Sequence, residues 1–143
     1  MTETLSLDAK VKQALDSMPY ANTLAIRPIL MGEDLTFVLP YSPDIIGNPM
    51  LKALHGGAIG AFLETAAIVG LGIVGDTLAL PKPIGINIDY LRRGHPKDTY
   101  ARAVISRLGS RVANVRVKAW QDSVRTPIAI LHGNFLITKP QKK

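Results

Sequence analysis

A chain of 143 residues with 47% hydrophobic side chains is long enough for one compact domain with a real core and too short for two ordinary ones. It has no cysteine, which removes disulfide and thiolate chemistry and is compatible with a reducing, cytoplasmic setting. The net charge of +6 is unevenly spread: residues 1–81 carry four Lys and Arg against eight Asp and Glu, residues 82–143 thirteen against three. Unless it is simply a solvated face, so basic a half favours a polyanionic partner, whether nucleic acid, an anionic membrane surface or a phosphorylated small molecule.

In chain order, the N-terminus lacks the basic and apolar runs of a secretory signal. Ser6, then Leu7, Val11, Leu15 and Met18 at helical spacing, predict a capped amphipathic helix within residues 1–19, ending before Pro19. Leu24 to Met31 and Leu35 to Pro40 predict a β-hairpin around a three-residue turn, Gly32-Glu33-Asp34. The turn formers of SPDIIGNP lead into a long apolar helix, Leu54 to Gly72, and Pro81-Lys82-Pro83 closes its exit loop. The apolar run from Ala58 to Val74, interrupted by Glu64 and by glycines, is read as too short and too polar to cross a bilayer and so as a buried core helix.

The remainder is β in character: Ile84 to Leu91, Thr99 to Leu108, a turn at Gly109-Ser110, a strand in which Ala113, Val115, Val117 and Ala119 alternate with Asn114, Arg116 and Lys118, and a last strand from Thr126 to Thr138. Residues 139–143 are expected to be a tail. The order predicts a single α+β domain over residues 1–143, a curved antiparallel sheet wrapped around the long helix. A helix apolar on nearly every side must be covered on nearly every side, so a second subunit is expected to complete the cover.

The chemistry concentrates on that helix. His55-Gly56-Gly57 places two glycines where it begins, although each costs about 1 kcal/mol relative to alanine inside a helix. Without Cβ atoms the first-turn N–H groups are open to a ligand oxygen, and the helix dipole adds positive potential; a tight loop-to-helix junction is the competing explanation. Glu64 sits among Ala61, Phe62, Leu63, Ala66 and Ala67, where burial would raise its basicity and suit it as a base or nucleophile. Pairing with Arg92 or Arg93 is the structural alternative. Gly57 and Glu64, seven residues apart, share a helix face but lie about 10 Å apart along the axis, too far to act on one carbonyl. Two antiparallel copies of the helix would bring an oxyanion donor and a carboxylate together, which makes a homodimer the smallest active unit, with a tetramer expected.

The HGG of residues 55–57, an acid nine residues after His55, and DYLRRG at 89–94 resemble the phenylacetate-degradation (PaaI-like) hotdog thioesterases over residues 19–136. The resemblance implies a hotdog fold and acyl-CoA hydrolysis. It gives Gly56 the role of backbone oxyanion donor, Glu64 that of base or nucleophile from the other subunit, and Arg92, Arg93 and Lys97 contacts with coenzyme A phosphates. It also brings Asn48 into the catalytic set, although NPMLKALHGG is one residue longer than the NPxGxxHGG of relatives. Ile68 stands where some relatives place a Thr. Gly57 is expected to touch substrate, and His55 to fix the turn or bond substrate.

His95 and His132 are isolated loop and strand residues, and no metal-ligand spacing, GxSxG elbow, Walker loop or dinucleotide fingerprint is present. The expectation is an acyl-CoA thioesterase without metal or cofactor, coenzyme A entering only as part of the substrate. A non-catalytic acyl-CoA-binding hotdog protein is the alternative. Nucleic acid is disfavoured as a partner because the basic residues are spread along strands with few aromatics between them, and no membrane partner is expected.

Overall fold

The computed structural model describes residues 6–31, 34–75 and 79–138. Helix α1 (Leu7–Asp16) is capped as its sequence implies, the Ser6 hydroxyl accepting the Ala9 N–H at 3.2 Å. Its apolar stripe buries Val11 and Leu15. The helix ends before Pro19, as expected, and Pro19 opens a second short helix, α2 (Pro19–Thr23), because proline at a first helical position loses only an N–H that has no partner there.

Strands β1 (Arg27–Met31) and β2 (Asp34–Leu39) form the expected hairpin. Asp34 is paired with Met31 and belongs to the strand, which corrects the three-residue turn; residues 32–33 lie outside the described residues. The segment read as turn formers contains a 3-10 turn (Pro43–Ile45) and a small hairpin of β3 (Ile46–Asn48) and β4 (Ala53–Leu54). Helix α3 then runs from Gly56 to Gly75.

Four antiparallel strands follow: β5 (Lys82–Tyr90), β6 (Thr99–Leu108), β7 (Val112–Trp120) and β8 (Ala129–Leu136). The six-stranded sheet has the order β1-β2-β6-β7-β8-β5. Lys82 and Pro83, expected in a loop, are in β5, an edge position where a residue without an N–H is tolerated. Residues 76–78 and the expected tail, 139–143, lie outside the described residues.

The architecture is α+β, with the sheet wrapped around α3. On β7 the alternation behaves as its pattern requires: Ala113, Val115, Val117 and Ala119 are buried, while Arg116 points to solvent. These side chains, with Phe37, Leu131 and Phe135 from neighbouring strands, close on Phe62, Leu63, Ala66, Ala67 and Val69 of the helix. Each large apolar side chain enclosed this way contributes about 1.5–3 kcal/mol.

By length and composition α3 is long and apolar enough to cross a membrane, with mean hydropathy 1.9 over its best window, so shortness and polarity do not exclude that. What identifies it as a core helix is its burial, two thirds of that window lying inside the fold.

Candidate functional site

Site geometry begins at His55, the residue between β4 and α3. Its backbone N–H donates to the Ile45 carbonyl at 2.7 Å, and its own carbonyl accepts the Ile59 N–H at 3.1 Å. Its imidazole folds back so that Nδ1 accepts the Gly57 N–H at 2.9 Å, capping the first turn of α3. Two glycines permit this: a Cβ on Gly47 would stand 2.7 Å from the His55 Cα, and one on Gly57 would stand 2.8 Å from the imidazole Cε1. The HGG motif is therefore a tightly packed loop-to-helix junction. With the Gly57 N–H occupied, the Gly56 N–H stands at the positive end of the helix dipole with no hydrogen-bond partner among the described residues.

Tyr90, at the end of β5, completes this end of the helix. Its hydroxyl donates to the Gly56 carbonyl at 2.7 Å and fixes the peptide plane of the first helical residue. Nothing in DYLRRG assigns Tyr90 a role: a tyrosine ending a strand two residues before an arginine pair carries no signal of what lies across from it.

Glu64 is half-buried, two turns further along α3. Its carboxylate has no hydrogen bond or ion pair among the described residues. The arginines expected as its alternative partners are engaged elsewhere: Arg92 Nη1 donates to the Pro127 carbonyl at 2.7 Å and Arg93 Nη1 to the Leu51 carbonyl at 3.1 Å. Glu64 lines a cavity of about 370 Å³ between α3 and the α1–α2 junction, walled by Met18, Pro19, Tyr20, Ala61, Thr65 and Ile68. Thr65 shares the cavity but spends its hydroxyl on the Ala61 carbonyl at 2.8 Å.

Asn48 is exposed at the end of β3, where its Oδ1 accepts the N–H groups of Met50 and Leu51 at 3.0 and 3.1 Å and so closes a local turn. Arg92 and Arg93 face a different cavity, about 380 Å³, with His95, Gln121, Asp122 and Thr126. Lys97, expected to join them, is held at 2.5 Å by the Asp122 carboxylate. His132 lies on β8, away from these groups. Among the described residues no cluster of three or more His, Asp or Glu side chains is placed to hold a metal ion.

One chain thus brings together His55, Gly56, Gly57 and Tyr90 at the start of α3, and separately Arg92 with Arg93. Glu64 stands apart from both groups.

Comparison with known proteins agrees with this architecture. Residues 51–128 match the profile of the Thioesterase superfamily. The medium/long-chain acyl-CoA thioesterase YigI of Escherichia coli is 33% identical over 91 residues, which cover 53% of this chain and 57% of that protein, so little more than half of the relative's length is matched. A protein of known structure from Pseudomonas aeruginosa is 30% identical, with 92% of this chain and 98% of that one superposed at a TM-score of 0.80. PaaI, from the phenylacetic acid degradation operon of E. coli, superposes at 0.74 over 92% of this chain and 96% of its own, at 21% identity, a likeness of fold alone.

Proposed function

Because the chain belongs to the Thioesterase superfamily, whose profile covers more than half of it, we propose that it hydrolyses acyl-CoA thioesters at a site shared by two subunits. The observation that carries this reading is Glu64: a half-buried carboxylate, without a partner among the described residues, lining an apolar cavity beside the long helix. Held by no neighbour among the described residues, this carboxylate is free to meet water or a ligand that enters the cavity.

Gly56 and Glu64 are about 12 Å apart along the axis of α3, so one chain does not supply both to one carbonyl. A second copy does, if its α3 runs alongside in the opposite direction. Strand β5 favours such a partner: it is a nine-residue edge strand with Ile84 and Tyr90 more than half exposed, and a long apolar edge is unstable against association. In this arrangement the acyl carbonyl oxygen rests on the Gly56 N–H, and Glu64 of the partner subunit takes a proton from the attacking water or attacks directly. On the water route the tetrahedral oxyanion collapses, the C–S bond breaks, and the departing sulfur takes the proton from Glu64, giving free acid and CoA. On the direct route the thiolate leaves an acyl–Glu64 anhydride, which water then hydrolyses to free acid and the original carboxylate, its proton passing to the thiolate.

Turnover on short, medium, branched and aromatic acyl-CoAs, read with a thiol-detecting dye, tests the reading; with no cysteine the protein gives no background. Glu64→Gln is expected to lower kcat by about 10²-fold or more with little change in thermal midpoint. Tight binding of acyl-CoA without turnover, unaffected by Glu64→Gln, would establish the binding-only alternative instead.

A further inference from the structure

Residues 91–98, which join β5 to β6, carry Arg92, Arg93, His95 and Lys97. A loop this polar has no core of its own, so its shape must be imposed from outside. The first half is fixed by backbone bonds: the Leu91 and Arg92 N–H groups donate to the Ile128 carbonyl at 2.8 and 3.2 Å, and the Gly94 carbonyl accepts the Leu54 N–H at 3.0 Å. The second half is held differently. The Gln121 carboxamide, just past the end of β7, accepts the His95 N–H at 2.9 Å through Oε1 and directs Nε2 at the His95 carbonyl (2.8 Å), the Lys97 carbonyl (3.3 Å) and the Thr99 hydroxyl (3.2 Å). One side chain thus bonds two residues of the segment, as acceptor and donor, and Thr99 at the start of β6, and it lines the same cavity as Arg92 and Arg93.

We propose that Gln121 is a positioning residue that holds the 91–98 loop in the shape that receives the phosphates of the substrate's CoA portion. This rests on the reading of Arg92 and Arg93 as the groups that meet those phosphates. Only a carboxamide does this work. A carboxylate of the same shape would face the His95 and Lys97 carbonyls without a proton to give, and alanine would leave the His95 N–H and carbonyl without their Gln121 bonds. Among the described residues the loop's second half would then be tied to the rest of the fold only through Asp98 to the Tyr41 N–H and Lys97 to Asp122.

The test compares Gln121→Glu and Gln121→Ala with an Arg92→Gln/Arg93→Gln double variant, on an acyl-CoA and on the same acyl group carried by N-acetylcysteamine, which has no phosphates. Both Gln121 variants are expected to raise KM for the acyl-CoA about tenfold, corresponding to about 1.4 kcal/mol, with kcat within about twofold and kcat/KM for the truncated thioester unchanged. A merely structural role would lower both substrates alike, and that result overturns the proposal. If only the arginine variant raises KM, the positioning role fails while the phosphate site stands; if the arginine variant changes nothing, the phosphate site fails and the proposal with it. The calorimetric Kd of free CoA gives the same comparison without turnover. Should Gln121→Ala not fold, the near-isosteric Gln121→Glu decides.

Discussion

The Nδ1 of His55 accepts the Gly57 N–H at 2.9 Å, so the residue before the helix uses up the second of its free donors and leaves the first, on Gly56, for something else. The contact depends on the missing Cβ of Gly57, which would stand within 2.9 Å of two imidazole atoms. Gly57→Ala is therefore expected to expel the ring and to destabilise the junction by roughly 1–2 kcal/mol. In a His55→Ala background the added methyl meets no ring, and the same change should cost much less. Denaturant midpoints of the two single variants and the double variant measure the coupling; simple additivity would show that the two residues do not depend on each other.

Gly56 can be probed with unusual selectivity. As the first residue of α3 it occupies the position where proline is favoured, so Gly56→Pro removes the N–H while keeping the helix start. Gly56→Ala keeps the N–H, and its Cβ meets Tyr90 at an ordinary 3.5 Å. If this N–H is the oxyanion donor, the proline variant loses about 10²- to 10³-fold in kcat and the alanine variant retains most activity. Equal loss in both would locate the donor elsewhere.

The contrast between His55 and Gln121 shows what was legible in the sequence. Local relationships were: Ser6 capping α1, the alternation on β7, the apolar length of α3 and the glycines following His55 all act within a few residues, and periodicity or turn chemistry exposes them. Pro83 misled, because the missing N–H that suits a loop is equally harmless in an edge strand, whereas α1 does end before Pro19 and only the five-residue α2, too short to show a period, was illegible. The β3–β4 hairpin is too short to show a period. Gln121, Tyr90 and the Asp122 partner of Lys97 were illegible because their contacts cross from 25 to 34 residues of chain for their defining bonds, a matter of sheet register that no window contains.

Lys97 offers a prediction of opposite sign. Its ammonium is tied to Asp122, and the Asp122 carboxylate sits in the cavity that Arg92 and Arg93 face. Both partners are substantially exposed, so the pair adds about 0–1 kcal/mol to stability. Asp122→Asn removes a negative charge from a site proposed to hold phosphates and frees a positive one. KM for acyl-CoA should fall about two- to threefold, the gain shrinking as salt is raised. A rise in KM would mean that the pair serves to shape the cavity.

The shared site itself can be tested by mixing. A dimer has two sites, each taking Gly56 from one chain and Glu64 from the other, so a Glu64→Gln chain and a Gly56→Pro chain fail in different halves. In a heterodimer of the two, both defects fall in one site and the other site is intact. After equal amounts are unfolded together and refolded, about half of the dimers are mixed and each has one working site, so about a quarter of the wild-type activity should return. Each variant refolded alone should stay inactive. If Gly56 and Glu64 served one reaction within a single chain, mixing would restore nothing, and the antiparallel pairing of α3 would have to be abandoned.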